Sequence, residues 1–326
     1  MKITVCVDVL GSEEGVSTTL EGCASALKND PELSLLLAGP EDACKEFIEE
    51  YPERAACVPC TEYIAMDEHP ATAVRTKKNS SIVLGCKAVK EGRADAFFSP
   101  GSTGACMTAS TLIIGRIKGI DRPALAMPIP GAGSPTVLMD IGANADCKPE
   151  YLVQFAKMGT IYSQIVVGAK NPSVALLNIG EEETKGSAFA QETYALMKEN
   201  LSNFAGNAEG RDIMASKYDV IVTDGFTGNI VLKTVEGTAK MISSEVKNLF
   251  LANIRSKVAA VSMHKLLRSF KKKFSVEEYG GAILLGTKKV TVIGHGSSTA
   301  RAVQRGIEVA AKAAREDMPG RIAELV

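Results

Sequence analysis

The sequence has no tryptophan, and aromatic residues make up only 5% of it. Nucleic-acid surfaces that stack bases interleave aromatics with basic residues, so no nucleic-acid partner is expected. There are only three histidines, His69, His264 and His295, far apart in the chain. No Cys/His spacing completes a zinc site, so neither a metal nor a cofactor is expected. Neither sign of charge dominates: 37 Lys and Arg stand against 38 Asp and Glu, for a net charge of −1. That balance excludes polyanion binding by the molecule as a whole. An uninterrupted membrane-length apolar run is also lacking. The uncharged segment 96–115 has the length, but Ser99-Pro100-Gly101-Ser102-Thr103-Gly104 breaks it into strand, loop and helix. Met1-Lys2-Ile3-Thr4-Val5 runs directly into a strand pattern without a leader-like segment. A cytosolic location is therefore expected. The eight cysteines are scattered before residue 148, which suits a reducing compartment rather than a disulfide framework.

What the chain does have is a recurrence of short apolar runs: 3–9, 33–38, 94–99, 136–141, 173–179, 218–223 and 289–293. Most end in small or acidic residues. Several are nearly continuous in Val, Leu and Ile, as strands buried on both faces are. Helix-like segments lie between them, at 81–91 with Ser80 as N-cap and Gly92 as stop, and at 150–168, 188–200 and 299–316. This alternation predicts an α/β fold with a mostly parallel sheet flanked by helices. No repeat or long linker divides residues 1–326, so one catalytic unit is expected, with any two lobes interwoven.

Ligands in such sheets sit at the carboxyl ends of the strands. The loops there are rich in small polar residues, and the sequence places at least six of them on one rim. Gly101, Ser102, Thr103 and Gly104 follow a strand and open a helix, either as an anion cradle or as a tight turn. His295, Gly296, Ser297 and Ser298 repeat that logic near the C-terminus, and His295 could bond an anion or supply a proton near neutral pH. Lys185, after Glu181-Glu182-Glu183-Thr184, is a single cation that could polarise a carbonyl; the bland alternative is a solvated lysine. Cys106 falls in a first helical turn, which lowers a thiol pKa, though a small core residue is the more ordinary role. Cys57-Val58-Pro59-Cys60 reads as part of a strand, with its two thiols on opposite faces, so a redox role is not expected.

Residues 246–276 contain eight Lys or Arg and no Asp or Glu. Their apolar residues recur at helical spacing. A basic amphipathic helical insertion over 231–275 is expected, with residues 246–274 facing an anionic membrane surface or an acidic protein. A helical hairpin in a dimer interface is the bland alternative.

Read together, the loops resemble one family. KKNSS at 77–81, GRADA at 92–96, TGA at 103–105 and GRIKGIDRPALA at 115–126 match it, as do DIGAN at 140–144 and KPEYLVQFAKMG at 148–159. LLNIGEE at 176–182, VTDGFTGN at 222–229, YGGA at 279–282 and HGSS at 295–298 continue the match. The chain resembles the bacterial phosphate acyltransferases of phospholipid synthesis, from near its start to about residue 312. The resemblance implies transfer of a fatty acyl group from acyl carrier protein to inorganic phosphate, giving an acyl phosphate. It implies a fold like that of isocitrate and isopropylmalate dehydrogenases and phosphotransacetylases, a homodimer, and peripheral membrane association. By matching motif positions it implies catalytic roles for Lys185 and Asn229. Phosphate or substrate contacts are expected at Gly101–Gly104, Asn144, His295, Gly296, Ser297 and Ser298. Two loops depart from the family pattern: Ser12 and Glu13 replace Gly and Asp, and Ser102 replaces Asn. An acidic carrier needs a basic docking patch, for which Arg75, Lys77, Lys78, Arg116, Lys118 and Arg122 are candidates. The rivals are a small-acyl phosphotransacylase using CoA thioesters, an oxidoreductase of the related fold and a non-catalytic membrane-surface scaffold.

Overall fold

Apolar runs with side chains on alternating faces form the strands. The computed structural model describes residues 1–273 and 276–326. Its strands are β1 (Ile3–Asp8), β2 (Leu33–Gly39), β3 (Ala55–Pro59), β4 (Ala96–Ser99), β5 (Ala124–Ile129) and β6 (Thr136–Met139). The remaining strands are β7 (Val174–Leu177), β8 (Phe204–Ala208), β9 (Val220–Val222), β10 (Ala282–Leu285) and β11 (Val290–Ile293). They join in one sheet of order β3-β2-β1-β4-β11-β10-β5-β6-β9-β7-β8. Every residue of β4, β6, β9 and β11 is buried, which is why those strands read as unbroken apolar runs.

Each face of the sheet carries its own layer of helices. Val5 and Val7 share one face with Leu27 of the Gly15–Asn29 helix, Phe155 of the Pro149–Tyr162 helix and Ile307 of the Ala300–Arg315 helix. Cys6 points the other way, toward Val83 of the Ser81–Lys90 helix, Ala105 of the Thr103–Ala109 helix and Leu232 of the Gly225–Leu251 helix. The period of two along β1 thus sorts the core into two layers. Cys57 packs against the first layer and Cys60 belongs to the second, so these thiols do face apart. Ser80 caps its helix as expected, its Oγ accepting from Val83 N at 3.4 Å.

The sheet is mostly but not wholly parallel. β10 is antiparallel to both β11 and β5, and β5 is antiparallel to β6. β6, β9, β7 and β8 are parallel to one another, as are β3, β2, β1, β4 and β11. Two parallel blocks therefore run in opposite directions on either side of the β10–β5 pair.

The basic segment is helical. It comprises the later turns of Gly225–Leu251, then Ile254–Ser262 and His264–Lys273. Among the described residues of the long helix only Gly225, Gly228 and Leu232 are buried, so the helix leaves the sheet after its first two turns. Leu249, Ile254, Val258, Val261 and Leu266 are all exposed. Phe274 and Ser275, the end of the expected insertion, lie outside the described residues.

Candidate active site

The opposed blocks correct the expectation of a single rim. The carboxyl ends of β1, β4 and β11 point to one edge, and those of β6, β7 and β9 point to the other. The small-residue loops fall into two groups accordingly. β4 and β6 are four strand spacings apart in the sheet order, or about 19 Å.

The first group is built on Asp8, at the end of β1. Ser99 Oγ donates to Asp8 Oδ2 at 2.7 Å, and Leu10 N donates to Oδ1 at 3.0 Å. Ser99 Oγ in turn accepts from Gly101 N at 3.0 Å. Burial pushes the Asp8 carboxyl above the usual carboxylate range, and hydrogen bonds from Ser81, Ser99, Leu10 and Gly11 pull it back in part. Gly101 therefore shapes the loop through its N–H rather than offering it to a ligand. Ser102 is buried and caps the next helix, its Oγ accepting from Ala105 N at 3.4 Å. Thr103 is exposed and Gly104 half-buried at the start of that helix. Their N–H groups are those a helix leaves unpaired in its first turn.

The C-terminal loop is fastened to this one. Gly294 N donates to Ser99 O at 2.8 Å, and Glu13 N donates to Gly296 O at 2.9 Å. Ser12 Oγ reaches Gly296 O at 3.4 Å, so both altered residues of the first loop still brace the C-terminal loop. Ser298 is used within the turn: its Oγ donates to His295 O and accepts from His295 N at 3.1 Å. His295 is exposed, and its Nδ1 accepts from Ser297 N at 3.3 Å. That contact is compatible with a tautomer that carries its proton on Nε2. Ser297 Oγ lies 2.9 Å from the same Nδ1.

The second group is organised by Asp140, just past β6. Its Oδ1 accepts from Leu125 N at 3.1 Å, Gly142 N at 3.1 Å and Ala143 N at 2.9 Å. Its Oδ2 accepts from Asn144 N at 2.8 Å and from Asn144 Nδ2 at 2.9 Å. Burial raises this carboxyl too, against the pull of those donors. The Gly225–Leu251 helix docks its first turn on the same loop. Asp224 caps it, with Thr227 N donating at 2.8 Å and Thr227 Oγ1 at 2.8 Å. A methyl group on Gly228 would lie 1.8 Å from Asp140 O, so only glycine permits this approach. The result sets exposed Asn229 against Gly142, which holds a φ of +138°. Asn144 is held by Asp140 and by Pro123 O at 2.9 Å, so its side chain supports the loop.

Lys185 belongs to this second edge, in the loop after β7. Nearly every neighbour in that loop is tied down. Glu181 pairs with Lys217 at 2.7 Å, and Glu183 pairs with Lys198 at 2.7 Å. The carbonyls of Glu182, Thr184 and Lys185 accept from Asn207, Gln191 and Asn178. Two of the three carboxylates are thus occupied elsewhere, and the exposed Lys185 ammonium projects from a braced loop. The structure brings Lys185, Asn144 and Asn229 to one edge and Gly101–Gly104 with His295–Ser298 to the other. It does not bring the two sets together within one chain.

Cys106 is fully buried, and burial pushes its thiol far above the usual range. The reactive-thiol option is thereby overturned: without solvation, the helix N-terminus does not yield a thiolate. Sequence reasoning passed over Asp8 and Asp140 as organisers. The signal was present, because each apolar run carries an aspartate next to its last residue.

The family described as "Fatty acid synthesis protein" matches residues 3–321. A relative from Clostridium perfringens (strain ATCC 13124), named "Phosphate acyltransferase", is 45% identical over 98% of this chain and 96% of its own. The chain belongs to that family. It is an acyltransferase. Among solved structures, a phosphotransacetylase from Streptococcus pyogenes superposes with a TM-score of 0.61 at 16% identity, covering 97% of this chain and 94% of the other. An isocitrate dehydrogenase from Methylococcus capsulatus gives a TM-score of 0.50 at 10% identity, covering 99% and 88%. At such identities the likeness shows the fold alone, and that fold is the one the resemblance implied.

Proposed function

We propose that the protein transfers a long-chain fatty acyl group from acyl carrier protein to inorganic phosphate, giving an acyl phosphate for phospholipid synthesis. The observation that carries this reading is the relative named "Phosphate acyltransferase", 45% identical over 98% of the chain. A phosphate oxygen attacks the thioester carbonyl carbon directly. The O–C bond forms, the C–S bond breaks, and the carrier leaves as a thiolate that then takes a proton. Thr103 and Gly104 N–H groups, Gly296, Ser297 and Nε2 of His295 receive the phosphate. Gly101, Ser102 and Ser298 hold those donors in place. Lys185 and Asn229 polarise the carbonyl and position the donor, stabilising the tetrahedral oxyanion.

Attack requires the reacting atoms to come within about 3–3.5 Å. The two half-sites of one chain stand at opposite edges, so the reading joins them across a homodimer, each copy offering Lys185 and Asn229 to its partner's phosphate loops. Arg75 and Lys78 stand beside the first half-site, where Pro70 of the Pro70–Thr76 helix packs against Gly104. Lys77 is already paired with Glu68 at 2.6 Å. Arg116, Lys118 and Arg122 are exposed at the second edge. These two patches are the candidates for docking an acidic carrier. The apolar side chains exposed over 246–274, set among Lys247, Arg255, Lys257 and Lys265, suit an anionic membrane surface. Among the described residues no helix is long and apolar enough to cross a membrane.

The test is an end-point assay with palmitoyl-acyl carrier protein, with and without phosphate. Carrier thiol release is measured while acyl phosphate is trapped as hydroxamate. Phosphate-dependent release matched by hydroxamate is expected. Release with palmitoyl-CoA or acetyl-CoA but not with the carrier would move the reading to the CoA-dependent class. No release with any donor would overturn it.

A further inference from the structure

An apolar cavity of about 230 Å³, open to solvent on one side, lies where the Gly225–Leu251 helix meets Phe270 and Met214; Val235, Ala239 and Ile242 line it together with three hydroxyl-bearing residues, and Met214, Ile242 and Phe270 are themselves exposed. None of its described lining residues is charged. A phosphorylated headgroup or an acidic protein surface finds no counter-charge there, whereas an alkyl chain needs none.

Its position ties it to the phosphate loops. Met214 O accepts from Ala132 N at 2.8 Å, and Ser216 Oγ accepts from Gly133 N at 3.1 Å. The cavity therefore adjoins the turn that follows β5. β5 is antiparallel to β10, which is antiparallel to β11, so β5 runs in the direction of β11 and β4. Its carboxyl end points to the edge that carries Gly101–Gly104 and Gly296–Ser298. β4 and β5 are three spacings apart in the sheet order, or about 14 Å.

We propose that this cavity holds the far part of the substrate's acyl chain and sets chain-length preference. The proposal rests on the transfer reading given above. A volume of about 230 Å³ holds roughly eight groups of water size, at about 30 Å³ each, and a methylene is of that order. The cavity thus takes the end of a long chain while the thioester stays at the phosphate loops. A two-carbon acyl group at those loops does not reach it.

The experiment fills and enlarges the cavity at positions outside both half-sites. Ala239→Phe is expected to shift the ratio of kcat/KM for hexadecanoyl against octanoyl donor by at least ~10-fold toward the shorter chain. Ile242→Ala is expected to shift it the other way, with the KM for phosphate unchanged in both. A second readout needs no turnover: the emission of cis-parinaric acid, a fluorescent long-chain fatty acid, rises on binding to the wild-type protein and is lost in Ala239→Phe. Thermal melts confirm folding, and Ser243→Leu replaces Ala239→Phe if the phenylalanine is not tolerated. Parinarate binding abolished by filling, in a protein that transfers nothing, would keep the cavity and remove the transfer reading. Normal transfer with an unchanged chain-length ratio in both variants would overturn the cavity. A concurrent loss of vesicle binding would then assign it to the lipid surface, and a concurrent loss of dimer would assign it to a second copy.

Discussion

At Gly228 one methyl group is enough to disturb the second half-site. Its Cβ would stand 1.8 Å from Asp140 O, a backbone atom of a fully buried residue. Gly228→Ala is expected to cost about 1–3 kcal/mol in urea unfolding and to displace Asn229 from Gly142. Lys185→Ala and Asn229→Ala act on chemistry instead, with an expected loss of ~10²–10³ in kcat at unchanged stability. Cys106→Ala is expected to keep turnover near normal. Burial pushes Cys86 up to about 12 and Cys147 up to about 11. Maleimide should therefore modify the native protein slowly at pH 8, and only at the half-buried Cys57 and Cys147. The polar loops were legible as loops because glycine, serine and asparagine cluster there. Which hydroxyls face a ligand was not legible. Ser298 and Ser102 look like anion donors in the sequence, yet each spends its oxygen on its own turn. Such local bonds depend on backbone geometry that residue type does not specify.

Between elements, the first and last long helices are joined by charge. Arg315 Nη2 lies 2.8 Å from Asp30 Oδ2, and Asn29 Nδ2 donates to Glu308 Oε1 at 2.9 Å. Burial opposes ionisation of Asp30 and Glu308, but hydrogen bonds from Arg315 to the one, and from Asn29, Arg305 and Gln304 to the other, hold both below the usual carboxylate range. A lowered folded-state pKa adds stability that is full above the ordinary value of about 4 and lost as pH falls through the folded value. Thermal midpoints are therefore expected to drop below about pH 4, and Arg315→Ala should cost about 1 kcal/mol at neutral pH and flatten that acid limb. The expected strands all formed, because runs such as Leu33–Gly39 are apolar at all but one position. β5, β8 and β10 were not anticipated. Pro128 in β5 argued against a central strand. Gly206 and Asn207 weakened β8, and β10 is only four residues long behind Gly280 and Gly281. Without β5 and β10 the reversal between the blocks could not be seen, and all the loops fell on one rim.

For the whole molecule, that reversal sets the strongest test. Two inactive variants, Lys185→Ala at the second half-site and Thr103→Tyr at the first, are expected to regain activity when unfolded and refolded together. One kind of site in a mixed dimer would then carry both intact halves. Recovery should approach about a quarter of the wild-type rate for random pairing in a two-fold dimer. No recovery would place both half-sites in one chain's own cleft. The α/β class was legible from alternation alone, whereas the direction of each strand depended on pairings far apart in the chain.

The position of β10 and β11 carries a consequence for biosynthesis. They fill the middle of the sheet but are made last. A ribosome that has not yet released Ala282 holds two separate sheets, β3-β2-β1-β4 and β5-β6-β9-β7-β8, each with a naked inner edge. The nascent protein cannot weld them until β10 and β11 emerge, and translation pausing before that point would leave those edges open to pairing with other chains.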